Sequence, residues 1–520
     1  MNQIKVLWVD DEIDLLKPQI IYLENKGYNV ETTNNGSDAI ELVEKNFYDI
    51  IFLDENMPGL SGIETLHRIK RLTSSVPVVM VTKSEAEDIM EEAIGGNIAD
   101  YLIKPVKPSQ VVLSIKKNVQ KSEIVSEKTN SAYQRKFQQL LSEISMADHH
   151  SDWIEIYKKM VFWELELEKS GSNVMDDILK MQKSEANLAF SKFIKRNYVD
   201  WFSSNGDKSE EQPTMSPNIF QEYVFPNLSD DYTTVFLLID NLRYDQWKTI
   251  EPSISKYYNV EKDDLYYSIL PTATQYSRNA IFAGLMPLEI DKKFPNYWLN
   301  DDEEGGKNQY EPELLEYQME RKGFKDSFYF DKIFNNKQGQ KVVDNYKDLL
   351  NHKLSVLVFN FVDILSHAGT DSKMIRELAQ DESAYRSLTL SWFEHSPLYE
   401  LLKVLSEEKV KIVISTDHGT IKVNEAKKVI GDKNTSSNLR YKMGRNLDYN
   451  AKDVFEIKKP AEAHLPISNL TSSYIFALNS DFLAYPNNYN YYVKYYKNTF
   501  QHGGVSMEEM LIPVITLISK

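Results

Sequence analysis

Four short apolar runs near the amino terminus each end on a residue able to do chemistry. Residues 4–9 (IKVLWV) run into Asp10-Asp11, and residues 49–53 (DIIFL) run into Asp54. Residues 76–81 (VPVVMV) stop at Thr82, and Tyr101-Leu102-Ile103 stops at Lys104-Pro105. Helix-length amphipathic stretches separate them, for example Leu15, Leu16, Ile20 and Leu23. Strands alternating with helices predict a parallel, doubly wound sheet. In such a sheet the carboxyl ends of the strands form one edge, and ligands bind there.

The residues at that edge suit phosphoryl transfer to a carboxylate. A divalent cation must screen phosphate from aspartate, and a cation and a hydroxyl must hold the transferred oxygens. Asp10, Asp11 and Asp54 offer hard oxygens for Mg²⁺, Lys104 offers the cation and Thr82 the hydroxyl. With Asn56-Met57-Pro58-Gly59 following Asp54, the set resembles the CheY-like response-regulator receivers over about residues 1–120. The resemblance implies a flavodoxin-like fold with Asp54 as the phosphorylated residue. It implies Mg²⁺ on Asp11, Asp54 and the Asn56 carbonyl, with Asp10 acting through water. It also implies a switch in which Tyr101 reorients as Thr82 moves, with Lys104 on the phosphoryl group.

From residue 110 to 205 the period changes. Phe137, Leu140, Leu141 and Ile144, then Trp153, Ile156, Tyr157 and Met160, recur at spacings of three and four. Proline is absent from 109 to 212, and Gly171 sits in the break SGSN. The expectation is a helical bundle over 121–205 serving as a spacer or an oligomerisation element. Residues 203–217 are polar with two prolines and read as linker, so the linker is placed at 206–230 and a last domain at 231–520.

In that last domain the strand-then-acid pattern returns. Residues 233–239 (TTVFLLI) end at Asp240, and residues 354–362 (LSVLVFNFV) end at Asp363, with His367 four residues on. Residues 410–415 lead into Thr416-Asp417-His418-Gly419, and His502 follows much later in QHGGVSMEEM. Carboxylate and imidazole are good Zn²⁺ ligands. Two such groups suit a pair of ions about 4 Å apart that clamp a phosphoryl displacement.

This domain resembles the alkaline phosphatase superfamily, within it the PglZ branch, a large α/β fold. The resemblance implies one zinc on Asp240, Asp417 and His418 and another on Asp363, His367 and His502. The nucleophile, itself a metal contact, lies in LPTATQYSRNAIFAG. Thr274 precedes Gly284 by the family's ten residues and would start a helix, and Thr272 is the alternative. In that superfamily a threonine is often found in phosphodiesterases, a serine in monoesterases and a modified cysteine in sulfatases. With no cysteine in the chain, the resemblance implies a phosphodiesterase working through a covalent threonyl-phosphate that a zinc-activated water releases. Asn241 and Arg243 follow the first ligand, and Arg440, Lys442 and Arg445 form a basic patch at 436–446. All five are expected substrate contacts. The tract 485–496 (YPNNYNYYVKYY) is rich enough in aromatics to stack bases or to pack as core.

The net charge of −17 argues against direct binding of duplex DNA. An acidic start and the lack of an apolar run near 18 residues predict a cytoplasmic, soluble chain with no membrane contact. As a whole the architecture resembles response regulators that join a receiver, a helical bundle and a PglZ domain. That resemblance implies a sensor histidine kinase as donor, a homodimer on phosphorylation, a sigma factor as partner, and control of type IX secretion or gliding. It implies cyclic or linear oligonucleotides as substrate. The alternative is a non-catalytic adaptor, phosphorylation-dependent and binding a sigma factor, with zinc in a structural role.

Overall fold

The computed structural model describes residues 3–520 except 74–75, 84–97, 120, 171–174, 204–211, 302, 304, 433–434 and 468–470. Gly171 and most of the polar linker stretch lie outside the described residues. The chain divides into two compact units, Met1–Ala132 with Lys169–Ser172, and Tyr133–Glu168 with Asn173–Lys520.

The first unit is built on a five-stranded parallel sheet of order β2-β1-β3-β4-β5, with β1 Lys5–Val9, β2 Asn29–Thr33, β3 Ile50–Asp54, β4 Val78–Thr82 and β5 Asp100–Ile103. Strand period sorts the apolar residues to two faces. Leu7, Val9, Ile51 and Leu53 join one core cluster, and Val6, Trp8, Ile50 and Phe52 join the other. Burial on both faces is why these strands read as continuous apolar runs. The helix Gly62–Leu72 starts with a reciprocal cap between Ser61 and Glu64. Gly62 lies so close to the β3 end that a Cβ there would stand 2.3 Å from the Asp54 carbonyl oxygen.

The second unit contains a six-stranded sheet of order β7, C-terminal strand, β10, β6, β9, β8. Here β6 is Thr233–Ile239, β7 Tyr258–Tyr267, β8 Phe328–Ile333, β9 Leu354–Phe359 and β10 Val410–Ser415, and the C-terminal strand is Leu511–Ser519. The strands β10, β6, β9 and β8 run parallel, and the C-terminal strand is antiparallel to both neighbours.

The helices His150–Lys169 and Asp176–Asn197 form as the period predicts, but they do not stand apart as a bundle. Trp153, Ile156, Met160, Phe190, Phe193 and Tyr198 share one apolar cluster with Val235, Leu237, Tyr267 and Ile515 of the sheet. The Tyr198 hydroxyl accepts from the Leu270 backbone N–H, and the Tyr267 hydroxyl donates to the His150 carbonyl. Part of the apolar stripe is thus a core face of the C-terminal unit, while Tyr133, Leu167, Met175 and Leu179 pack among the helices themselves. Among the described residues no helix is long and apolar enough to cross a membrane.

Candidate phosphoacceptor and metal centres

In the first unit the sheet register aligns the reactive ends. Asp54 pairs with Val81 and Thr82 with Ile103, so Asp54, Thr82 and Lys104 end adjacent parallel strands. Lys104 Nζ lies 2.7 Å from Asp10 Oδ2 and 3.0 Å from Asp54 Oδ2. The oxygens of Asp10, Asp11 and Asp54 lie within 4.8 Å of one another. Burial, with Asp10 and Asp11 alongside, pushes the Asp54 carboxyl up to about 6 even against the Lys104 ammonium. A carboxylate trio with Asp10 and Asp54 buried, Asp11 exposed and one lysine is short of positive charge, and that fits Mg²⁺. Thr82 donates to Glu55, and Tyr101 is half-buried in β5.

In the second unit three neighbouring parallel strands deliver three aspartates side by side. Ile239 of β6 pairs with Phe359 of β9, and Leu238 pairs with Ser415 of β10. Asp240 and Asp417 therefore leave adjacent strands at the same level, and Asp363 sits in the first turn of the helix Phe361–Asp371. Strands about 4.8 Å apart can hold such groups at metal-bridging distance. Asn241 turns back at φ 65°, a region Asn tolerates. Its backbone N–H donates to Asp417 Oδ1 and its side chain to Asp363 Oδ1.

The expected ligands assemble as two groups. Asp240, Asp417 and His418 have ligand atoms within 4.8 Å of one another, as do Asp363, His367 and His502. The groups adjoin, with the His418 and His502 rings stacked at 4.2 Å. Their tautomers follow from their partners. His418 Nδ1 lies 3.1 Å from the Gly419 carbonyl, and His502 Nδ1 lies 3.2 Å from the Thr272 carbonyl. A carbonyl only accepts, so each Nδ1 carries the proton and each Nε2 presents a lone pair. Gly419 itself lies against Glu508, where any Cβ would stand 1.9 Å from the carbonyl oxygen.

The electrostatics are those of ligands short of cations. Asp240 Oδ1 and Asp417 Oδ2 are buried without a hydrogen-bond partner. Burial, then the Asp240 charge, pushes Asp363 up to about 6 and Asp417 well above the usual carboxylate range. Burial holds His418 and His502 below the ordinary imidazole value, so both rings stay neutral. Orphaned carboxylate oxygens facing neutral imidazole lone pairs are a donor set that fits Zn²⁺.

The two threonines part company. Thr274 opens the helix Thr274–Ala283, which ends on Gly284 at φ 56°. Its Oγ1 lies 3.0 Å from His418 Nε2. Thr272 is fully buried; its hydroxyl donates to the Gly504 carbonyl and accepts from the Gly503 N–H.

Of the five expected substrate contacts, Asn241 is held inside the ligand cluster and three more are committed elsewhere. Asn241 is buried and holds Asp363. Arg243 is buried against Asp245 and Glu382. Arg440 is buried and forks onto both oxygens of Glu509. Lys442 is buried over the Tyr485 ring, its ammonium on the Ser436 carbonyl. Adjacency in sequence misled here, because the two arginines find buried carboxylates first and the lysine a carbonyl and a ring. Of the five, only Arg445 is exposed.

The cation that does reach the cluster is Arg278. Its Nη1 lies 2.8 Å from Asp240 Oδ2 and its Nε 2.7 Å from Glu311 Oε1, and Lys332 meets Glu311 at 2.8 Å. Asn308 donates to the Thr274 carbonyl at 3.1 Å. Arg278 lies four residues after Thr274 and so on the same helix face, a signal the sequence carried. Glu311 had no such signal, since it arrives from a separate helix, Glu311–Arg321.

Residues 219–517 match the family described as the BREX system PglZ alkaline phosphatase-like domain. The chain belongs to the PglZ family. Ahead of its PglZ domain, residues 123–202 match the PorX response regulator linker domain and residues 6–116 the response regulator receiver domain. Receiver, linker and PglZ domain in that order are the arrangement of a PorX-type response regulator. The receiver region is 35% identical to the transcriptional regulatory protein ResD of Bacillus subtilis (strain 168) over 115 residues, 22% of this chain and 48% of ResD. It is 38% identical to the CpxR homolog of Haemophilus influenzae over 120 residues, 23% of this chain and 51% of that protein. The chain thus spans about half the length of these relatives, and of others less. A CheY-like receiver domain protein from Methanospirillum hungatei JF-1 is similar at 24% identity, over 24% of this chain and 98% of its own, with a TM-score of 0.23. The PglZ family chain is therefore a response-regulator receiver joined to an alkaline phosphatase-like domain.

Proposed function

We propose that this chain is a two-metal phosphodiesterase acting on cyclic or linear oligonucleotides, with Thr274 as nucleophile, under the control of phosphorylation at Asp54. The observation that carries the reading is Thr274 Oγ1 at 3.0 Å from His418 Nε2, beside Asp240 Oδ1 and Asp417 Oδ2, both buried without a hydrogen-bond partner. Asp240, Asp417 and His418 would hold one Zn²⁺, and Asp363, His367 and His502 the other. When bound, such ions polarise the phosphoryl oxygens and make water or alkoxide nucleophilic near neutral pH.

The rest of the work falls to the chain. Thr274 sits at a helix N-terminus, whose dipole favours an alkoxide over a hydroxyl. Its Oγ attacks phosphorus and the leaving oxygen departs with the ester group, so a threonyl-phosphate ester forms and water later cleaves it. Arg278 neutralises Asp240 from behind and Asn308 fixes the start of the helix. Thr272 supports the His502 loop through its hydroxyl and carbonyl. In the receiver, Asp54 takes a phosphoryl group from a sensor histidine kinase with Mg²⁺ on Asp10, Asp11, Asp54 and the Asn56 carbonyl, and Thr82, Tyr101 and Lys104 relay the change. Phosphorylation promotes a homodimer, and the output is type IX secretion or gliding through a sigma factor.

The test is hydrolysis of bis(p-nitrophenyl) phosphate and an oligonucleotide panel by zinc-loaded full-length protein. Wild type cleaves, while Thr274→Ala and Asp363→Ala lose roughly a thousandfold or more in kcat. Absence of cleavage at every zinc level sinks the enzyme reading and leaves a phosphorylation-dependent adaptor with structural zinc. Expected in that case is sigma-factor binding that Thr274→Ala does not alter.

A further inference from the structure

The tyrosine-rich helix Tyr489–Tyr496 has one packed face and one exposed face. Tyr489, Val493 and Tyr496 pack against a small apolar cluster around Phe482 and Ile421. Two rings face out, Tyr491 at 64% exposure and Tyr492 at 40%, while Tyr495 is half-buried. They form two ladders at helical spacing, Tyr491 over Tyr495 at 6.1 Å and 15°, and Tyr492 over Tyr496 at 6.1 Å and 13°. The Arg376 guanidinium lies 5.1 Å from the Tyr495 ring centre.

Two further observations say what this face is for. From Phe482 to Met507 the sequence holds Lys494, Lys497 and His502 and not one acid, in a chain with 77 Asp and Glu. Local charge therefore opposes the global charge and suits a polyanion. The face is also tied to the metal-ligand groups by direct contacts. His367 and Thr370 lie on one face of the helix Phe361–Asp371, about one turn apart. Thr370 accepts from Gln501, the residue before His502, and its carbonyl accepts from Arg376. On the helices Phe361–Asp371 and Lys373–Leu378, Ile364, Met374 and Leu378 are exposed, at 46%, 68% and 52%. The helix Tyr489–Tyr496 is thus linked to the residue before His502, and to the helix that carries His367, through Arg376, Thr370 and Gln501.

We propose that the Tyr491–Tyr492 face is a base-stacking platform for single-stranded nucleic acid, placed so that a strand stacked there extends its backbone toward the two ligand groups. This rests on the phosphodiesterase reading and adds to it the subsite that grips bases. Every base offers a π-face, so the platform is tolerant of sequence. A protein partner is the competing occupant, but a ring-bearing segment that carries lysines and no acid of its own offers charge complementarity to a phosphate backbone.

The experiment is fluorescence anisotropy on zinc-loaded, full-length Thr274→Ala protein, which holds substrate without turnover. The probes are a labelled deoxyadenosine hexamer and an abasic hexamer of equal length. The base-bearing probe is expected to bind roughly tenfold tighter or better, as stacking on one or two rings supplies. Adding Tyr491→Leu and Tyr492→Leu removes that preference and leaves the two probes alike, and Tyr491→Phe with Tyr492→Phe keeps it. Equal affinity for both probes in the parent, or a preference that survives the leucine pair, overturns the platform. So does loss of self-association in the leucine variant on a sizing column, since the face would then be an interface between copies. The readout does not need hydrolysis, so failure of the catalytic reading and failure of the platform are separable.

Discussion

Thr272 and Thr274 lie two residues apart, yet their hydroxyls turn to different partners. Thr274 faces His418, and Thr272 is walled in by Gly503 and Gly504. Thr272→Val is therefore expected to weaken zinc binding by loosening the His502 loop, about tenfold by chelator competition, as changes in supporting shells do. Thr274→Ser keeps measurable turnover where Thr274→Ala does not. The residues legible in sequence were those whose type is dictated by chemistry: strand-end aspartates, paired histidines, a helix-opening threonine. The basic residues were illegible because a lysine or arginine serves a phosphate or a buried carboxylate equally well. Lys442 shows the cost. Burial drags its ammonium down to about 7. The unfolded chain keeps that lysine charged to near pH 10.4, so it binds more protons than the folded chain between those values. Stability should thus rise with pH from about 7 to about 10, with the full penalty present below 7. Lys442→Met should stabilise the protein at pH 6 and flatten that rise in urea titrations repeated across pH.

At the scale of elements, the helical segment is joined to the C-terminal sheet by buried charge as well as by apolar contact. Arg386 of the helix Glu382–Glu394 meets Glu164 at 2.8 Å, Asp245 at 2.9 Å, and Glu168. Lys183 meets Glu164 at 2.8 Å, and Asn187 bonds Glu508 and the Met507 N–H. Asp245 and Arg243 lie just past Asp240, so the helices brace the chain leaving a proposed metal ligand. Removing one partner leaves a buried charge alone, and Arg386→Met is expected to cost about 3–5 kcal/mol in urea unfolding. A chain beginning at residue 133 should fold with a single cooperative transition, and one beginning at residue 213 should not. Two separate transitions in the longer piece would count against the bracing. Helical period announced these helices but not their partner, because periodicity reports a buried face and never what buries it.

For the molecule as a whole, the strand order decides where chemistry sits. Both sheets collect their reactive residues at the carboxyl ends of parallel strands, and that much follows from the alternation of apolar runs and acids. The sheet orders, the antiparallel C-terminal strand and the fusion of helices to the larger sheet depend on pairings between distant residues, which no local pattern encodes. Asp54 carries the regulatory part of the account. Acetyl phosphate with Mg²⁺ is expected to convert the protein to a dimer by light scattering, and Asp54→Asn or removal of Mg²⁺ to keep it monomeric. The central claim is the covalent role of Thr274, and acid-quenched mass spectrometry of the zinc-loaded protein during oligonucleotide cleavage tests it most directly. The account predicts a nucleotidyl adduct on the peptide at Thr274, absent in Thr274→Ala. An adduct on Thr272 instead, or undiminished cleavage by Thr274→Ala, would contradict it.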